Sequence, residues 1–281
     1  MLVDSHCHAW LRWPYEPPVP DPESRALVEQ LIFEMDRNGV DKAAVVCARI
    51  EHNPDDNEYV ADAVKRYPDR LYQITDVDCS WWPTYHTPGA DKRLIEAAES
   101  LPMKGFTHYL ASDDDGSWLI GDDGMAFFRA AADRNLIASI ACNPQHVWAI
   151  RKVAAAFPSM PILLHHLAGT SAHEAPPYPL LNEVLAAAQE ENIYIKLSGF
   201  HYASEVRWDF PYSNTHWLIR RLYERFGPHR MCWGSDYPVV RQFMTYQHAL
   251  EAFRTHCSFV PDSDKAWILG DTLYGLLEAA G

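Results

Sequence analysis

The sequence predicts a single-domain α/β fold, a (β/α)8 TIM barrel that spans residues 1–281. Short apolar or β-branched runs alternate with longer amphipathic runs along the whole chain, and this alternation is typical of a barrel. The length of 281 residues also suits this fold, which usually needs about 250 residues. Doubly wound sheets alternate in the same way, but the chain contains no G-x-G-x-x-G phosphate loop. We therefore favour the barrel.

The predicted elements follow one another in a regular order. The strands are apolar or β-branched and lie at residues 2–8, 43–49, 71–77, 103–108, 137–142, 161–166, 193–198 and 230–235. Amphipathic patterns predict helices at 23–38, 56–67, 91–100, 123–135, 145–157, 179–191, 213–226 and 243–256, with a C-terminal helix near 264–279. Gly39, Pro68 and Pro158 terminate three of these helices. The sequence "PDSD" at 261–264 supplies capping residues for the last one.

Long segments rich in Trp, Tyr and Pro follow several predicted strands, at residues 9–22, 78–90, 109–122, 167–178 and 199–212. In a barrel, the loops that follow the strands gather at one face and surround the active site. The sequence therefore predicts a site that is built from strand ends and covered by long βα loops.

The composition disfavours several classes of protein. A net charge of −14 disfavours nucleic acid and anionic membranes as partners. No apolar run approaches ~18 residues, and the N-terminus lacks the basic and apolar regions of a secretory signal. The six cysteines are scattered and form no C-x-x-C. We expect a cytoplasmic protein that acts on a small molecule, with no nucleic-acid or membrane partner; assembly into a homo-oligomer stays open.

The first strand carries an unusual pair of histidines in "LVDSHCHAW". Side chains two positions apart on a strand share a face, so Asp4, His6 and His8 are predicted to point the same way. Cys7 is predicted to point towards the helices. Taken alone, an H-x-H pair is also compatible with ordinary surface or core histidines.

Two later motifs add reactive side chains at strand ends. "PILLHHLAG" ends its strand with His165 and His166, and alternation predicts that only one of them enters the barrel. Asp236 lies where the eighth strand ends, in "WGSDYPV". Because the eighth strand of a closed barrel pairs with the first, Asp236 is expected beside His6 and His8. Such a cluster can hold a divalent cation or activate water directly.

"DSHCHAW", "HHLAG", "IYIKLSG" and "WGSDYPV", in this order, resemble the signature of the amidohydrolase superfamily. The sequence most resembles the amidohydrolase-related, lactonase-rich branch, whose members hydrolyse lactones of sugar acids and of dicarboxylates. The resemblance implies that Asp236 is the general base and that His6, His8 and His166 are catalytic. It also implies that these four residues are the ligands if one divalent metal, Zn or Mn, is bound; metal-free catalysis is the alternative. Where the branch usually has an aspartate, this chain has His165.

The resemblance predicts a hydrolase that opens a small lactone ring. The alternatives are a metal-dependent non-oxidative decarboxylase of an aromatic or unsaturated acid, and a catalytically inactive binding protein. Lys104 is predicted to be structural or solvent-facing, and Lys196 is predicted to lie near the site. Candidate substrate-binding residues stand at or after strand ends and are Arg49, His108, Tyr109, His201 and Arg241.

Overall fold

The computed structural model describes residues 1–281 and contains one eight-stranded parallel sheet in sequence order. The strands are β1 (Val3–Cys7), β2 (Lys42–Val46), β3 (Leu71–Asp76), β4 (Met103–Tyr109), β5 (Ile137–Ala141), β6 (Ile162–Leu164), β7 (Ile193–Leu197) and β8 (Met231–Trp233). Each lies at a predicted position. The predicted (β/α)8 barrel is therefore confirmed.

Helices follow each strand and surround the sheet. They are α1 (Val28–Asn38), α2 (Asp56–Arg66), α3 (Ala90–Ser100), α4 (Asp122–Ala132), α5 (Val147–Ala156), α6 (Pro179–Ala186), α7 (Phe200–Ala203), α8 (His216–Phe226), α9 (Tyr246–Arg254), α10 (Asp262–Ala266) and α11 (Thr272–Ala279). A π-helical turn, Trp267–Asp271, joins the last two into the predicted C-terminal helix. None of the helices combines the length and the apolar character needed to cross a bilayer.

The strand residues alternate between two hydrophobic clusters, as the period of two requires. On β2, Ala43 and Val45 belong to the large cluster that packs against the helices. Ala44 and Val46 belong to a smaller cluster inside the barrel, which Leu273 of α11 also joins. The interior below the site is therefore packed with apolar side chains, and polar residues occur where the strands end.

The barrel is closed between β8 and β1 without a regular ladder. A single bridge pairs Cys7 with Tyr237, beyond the end of β8. Two backbone hydrogen bonds accompany it: Asp236 donates to the carbonyl of His6 at 2.7 Å, and His8 donates to the carbonyl of Tyr237 at 2.6 Å. We call this junction, residues 4–8 and 234–237, the seam.

The prediction that Asp4 shares a face with His6 and His8 is wrong, because β1 contains a β-bulge. Asp4 pairs with Ala43 and Cys7 pairs with Val45, so two residues of β1 lie opposite one residue of β2. Asp4 and Cys7 consequently both face the helices. His6 and His8 turn inward, and Cys7 packs in the outer cluster as predicted.

Candidate active site

The seam brings His6 and His8 next to Asp236, and the turn after β6 adds His166. One carboxylate oxygen of Asp236, Oδ1, lies 3.6 Å from His6 Nε2 and 3.7 Å from His8 Nε2. It lies 4.0 Å from His166 Nε2. Three imidazoles therefore converge on one oxygen of a carboxylate that is 1 % exposed.

The second oxygen of Asp236, Oδ2, is held by the segment that follows β7. Tyr202 donates a hydrogen bond to it at 2.9 Å, and His201 Nε2 lies 3.9 Å away. Both ring nitrogens of His201 are buried and have no hydrogen-bond partner. The two oxygens thus have different surroundings, one facing imidazoles and the other a phenol.

Local backbone conformation explains how the turn after β6 presents its histidines. His166, Leu167 and Ala168 have φ values of 45°, 56° and 57°, which side-chain-bearing residues rarely adopt. Such strain is concentrated at functional sites. Gly199, with φ 69°, leaves the room that His166 needs, because a Cβ there would lie 2.8 Å from His166 Nδ1.

The strand β6 ends before the histidine pair, so the predicted alternation of His165 and His166 is wrong. Both side chains face the site: the rings of His165 and His166 each lie 4.5 Å from that of His6. His166 Nδ1 lies 3.0 Å from the hydroxyl of Ser198. The left-handed turn, rather than strand alternation, sets the direction of His166.

Lys196 lies beneath this cluster, which confirms that it is near the site. Its Nζ donates to Ser139 Oγ at 2.7 Å and lies 3.3 Å from His6 Nδ1. Burial lowers the pKa of Lys196 to about 7. Lys104, by contrast, donates to the carbonyl of Ala280 and has the structural place that the sequence predicts.

Ser139 connects Lys196 to His165. Its Oγ accepts a hydrogen bond from Lys196 and lies 2.7 Å from His165 Nε2. Burial lowers the pKa of His165 well below its ordinary value, so the imidazole is neutral at neutral pH. Its Nδ1 is buried and has no hydrogen-bond partner.

Burial keeps His6 and His166 neutral while Asp236 stays ionised. Burial lowers the pKa of His6 well below its ordinary value, and Lys196 lowers it further. Burial also lowers the pKa of His166 to about 4, although Asp236 opposes this. Burial alone would raise the pKa of Asp236, but His166 and His8 outweigh it and the pKa is lowered. At neutral pH the site therefore holds the Asp236 carboxylate beside the neutral imidazoles of His6 and His166.

These donors fit one divalent ion. His6, His8 and Asp236 offer ligand atoms within 4.8 Å of one another, and His6 Nε2 is buried without a hydrogen-bond partner. Ligands bonded at ~2.0–2.1 Å to one ion lie roughly 3–4 Å apart. His6 Nε2 and His8 Nε2 lie at such distances, 3.6 Å and 3.7 Å, from Asp236 Oδ1. His8 Nδ1 donates to the carbonyl of Val46 at 2.7 Å, the kind of bond that orients metal-binding histidines. A second set, His6, His165 and His166, also comes within 4.8 Å, and it contains no carboxylate.

A cavity of about 420 Å³ opens beside the cluster. Its lining includes Tyr109, Asn143, His166, Ser171 and Tyr202, and neither arginine nor lysine lines it. Of the predicted substrate-binding residues, Tyr109 lines this cavity and His201 lies beside Asp236. The chain therefore surrounds a ligand with hydroxyls, an amide and aromatic rings.

Arg49, His108 and Arg241 do not join this cavity. The guanidinium of Arg49 lies over the ring of Trp82 and donates to the carbonyl of Pro54. His108 faces outward from β4, where its Nε2 lies 3.2 Å from His86 Nε2.

Arg241 is exposed and donates to the carbonyl of Arg25. The substrate-binding roles of Arg49, His108 and Arg241 remain predictions that these positions do not support.

Sequence reasoning missed Tyr202 and Ser198 as parts of the site. The only indication in the sequence is that both residues directly follow β7, in "KLSGFHY". The segment after a barrel strand borders the active site. The turn at Gly199 then decides that Tyr202 reaches Asp236, and no local pattern reports this.

The barrel and its histidine–aspartate cluster define an enzyme whose polar site lies where the strands end. The family model described as Amidohydrolase matches residues 3–276. The chain therefore belongs to the amidohydrolase family. No protein of curated function matches the sequence significantly.

Solved structures share the fold over nearly the whole chain. An amidohydrolase from Burkholderia multivorans with bound zinc has a TM-score of 0.78 and 18 % identity, with 99 % of each chain covered. A probable 2-pyrone-4,6-dicarboxylic acid hydrolase from Acinetobacter baumannii with bound citric acid has a TM-score of 0.77 and 20 % identity, again over 99 % of each chain. The 5-carboxyvanillate decarboxylase from Sphingomonas paucimobilis has a TM-score of 0.68 and 15 % identity, over 99 % of this chain and 98 % of the other. At these identities the likeness shows the fold.

Proposed function

We propose that this enzyme hydrolyses a small lactone. The observation that carries the proposal is the surroundings of Asp236: Oδ1 faces three imidazoles, Oδ2 is held by Tyr202, and a cavity of about 420 Å³ lies alongside. An ionised carboxylate held in this way is suited to take a proton from water. The Acinetobacter neighbour is named a 2-pyrone hydrolase, and a pyrone is a cyclic ester, which agrees with this class of reaction.

The proposed reaction uses the residues in defined roles. The carboxylate of Asp236 takes one proton from a water molecule as the water oxygen forms a bond to the lactone carbonyl carbon. The ring C–O bond then breaks, and the ring oxygen receives the proton that Asp236 holds. The product is a hydroxy acid, and Asp236 is again ionised.

A divalent ion would be held by His6, His8, His166 and Asp236. When bound, it would act as a Lewis acid towards the lactone carbonyl and lower the pKa of water. The remaining contribution comes from the chain itself: Tyr202 orients the base.

The cavity lining favours a lactone that is uncharged or carries one negative charge. A dicarboxylate calls for cationic side chains, best supplied by arginine, and none lines this cavity. Ser171 and Asn143 offer a hydroxyl and an amide to substrate hydroxyl groups, and Tyr109 offers an aromatic face. We therefore propose a hydroxylated lactone.

The proposal is tested with purified enzyme on a panel of lactones and aromatic acids, with and without a chelator, after elemental analysis. We expect ring opening of at least one lactone and a loss of roughly 10²-fold or more in kcat for Asp236→Asn. Release of carbon dioxide from an aromatic acid, without any lactone hydrolysis, would assign the enzyme to the decarboxylases instead. Unchanged turnover in Asp236→Asn would show that the base is another residue.

A further inference from the structure

Asp4 is the most extensively bonded buried carboxylate at the seam, and the proposed reaction gives it no role. The side chain is 0 % exposed. Its Oδ1 accepts hydrogen bonds from the backbone N–H groups of His6 at 3.0 Å and Ser235 at 2.9 Å. Its Oδ2 accepts from Ser235 Oγ at 2.5 Å and from the hydroxyl of Tyr246 at 2.8 Å. All four donors are buried, so this carboxylate is a connection between β1, the end of β8 and α9.

These bonds occur where the barrel lacks regular pairing. Beyond the bridge at Cys7, no ladder joins β8 to β1. The N–H of His6 has left the ladder with β2 because of the β-bulge, and the Asp4 carboxylate accepts it instead. The same oxygen accepts the N–H of the residue that precedes Asp236. One oxygen atom therefore connects the backbone of His6 to the backbone next to Asp236.

We propose that Asp4 is a positioning residue that sets the separation of His6 and His8 from Asp236 across the seam. It touches neither the cavity nor the converging ring nitrogens, so it acts through the backbone. The part of this proposal that concerns turnover rests on the proposed lactone hydrolysis. The part that concerns geometry and metal binding does not depend on it.

Asp4→Ala and Asp4→Asn separate positioning from general stability. Alanine leaves the N–H groups of His6 and Ser235 without their acceptor. Asparagine can keep one oxygen towards both N–H groups and turn its amide towards the hydroxyls of Ser235 and Tyr246, which are able to accept. Asn192→Ala is the matched control, because the amide of Asn192 donates to three buried carbonyls at the opposite end of the barrel.

The readouts are zinc affinity by chelator competition, kcat and KM on the lactone that the wild type opens, and melting temperature. For Asp4→Ala we expect a 10- to 100-fold loss of zinc affinity, as for removal of residues that orient metal ligands. We expect kcat to fall more than KM rises, and Asp4→Asn to recover most of both losses. Asn192→Ala is expected to lower the melting temperature while zinc affinity and kcat stay at wild-type values.

Wild-type zinc affinity and kcat in Asp4→Ala would overturn the proposal, as would equal losses in Asn192→Ala. If Asp4→Ala does not fold, Ser235→Ala takes its place with the same criteria, since it removes one bond to Oδ2. If the wild type binds no zinc, the crystal structure of the Asp4 variant decides, because an unchanged separation of His6 Nε2 and Asp236 Oδ1 would refute positioning. Failure of the proposed function is distinct: it appears as a wild type that opens no lactone.

Discussion

Tyr202→Phe is a sharp test of how Asp236 is oriented. The substitution removes only the hydroxyl that donates to Asp236 Oδ2 at 2.9 Å and keeps the ring that packs on His166 and His201. After its removal, His201 Nε2 stays 3.9 Å from Oδ2, too far for a hydrogen bond. Asp236 would then be free to rotate away from the position in which it meets water.

The size of the effect follows from the strength of this hydrogen bond. A hydrogen bond to a charged group contributes about 1.5–3 kcal/mol. Because about 1.36 kcal/mol corresponds to a tenfold change in rate, full loss would lower kcat roughly 10- to 150-fold. Tyr202 is 42 % exposed, so water competes for the bond and we expect the lower part of this range, roughly 10- to 30-fold.

The assay is steady-state hydrolysis of the preferred lactone, together with zinc affinity, which should fall as well because Tyr202 orients Asp236, a proposed ligand. Tyr223→Phe is the control, because Tyr223 also donates its hydroxyl to a carboxylate, that of Asp264, but outside the site. Wild-type kcat in Tyr202→Phe, or an equal loss in Tyr223→Phe, would refute the reasoning.

Three further substitutions test the ligands, the seam and a buried acid. His8→Ala removes one imidazole, so zinc affinity measured by chelator competition should fall at least about 10-fold; wild-type affinity would exclude His8 as a ligand. Gly234→Ala places a Cβ 2.8 Å from the Cβ of His6, so melting temperature and lactone turnover should both fall, and unchanged values would contradict this packing. Burial raises the pKa of Asp56 well above its ordinary value. Above about pH 4 the unfolded chain therefore releases a proton that the folded protein still holds, so the free energy of unfolding falls as pH rises. The melting temperature of Asp56→Asn relative to the wild type should therefore increase from about pH 4.5 to about pH 8, and a constant difference would contradict the shifted pKa.

The fold could be predicted because its strands and helices differ in hydrophobic period. The second strand, predicted at 43–49, ends at Val46. The sixth and eighth strands, predicted at 161–166 and 230–235, are observed as Ile162–Leu164 and Met231–Trp233. Both end early because the residues that follow leave the sheet to form the site. His166 and Asp236 have φ values of 45° and 59°, and an apolar pattern does not report such turns.

The site could be predicted only as far as barrel topology determines it. Closure of the eighth strand onto the first predicts that Asp236 meets His6 and His8, and it does. The direction of Asp4 depends on a β-bulge and on hydrogen bonds to residues more than 200 positions away in the sequence. No periodicity within β1 carries that information.

The position of the site at the seam links its chemistry to closure of the barrel. The backbone bond from Asp236 to the carbonyl of His6 holds two strands together and also joins the proposed base to a candidate ligand. A regular hydrogen-bonded ladder between β8 and β1 would also close the barrel. It would, however, hold His6, His8 and Asp236 in the regular spacing of paired strands. Here the bulge in β1 and the early end of β8 allow His6, His8 and Asp236 to face one another, and the Asp4 carboxylate satisfies the N–H groups that this irregularity leaves unpaired. Substitutions at the seam should therefore change metal affinity and thermal stability together, whereas substitutions at the opposite end of the barrel should change stability alone.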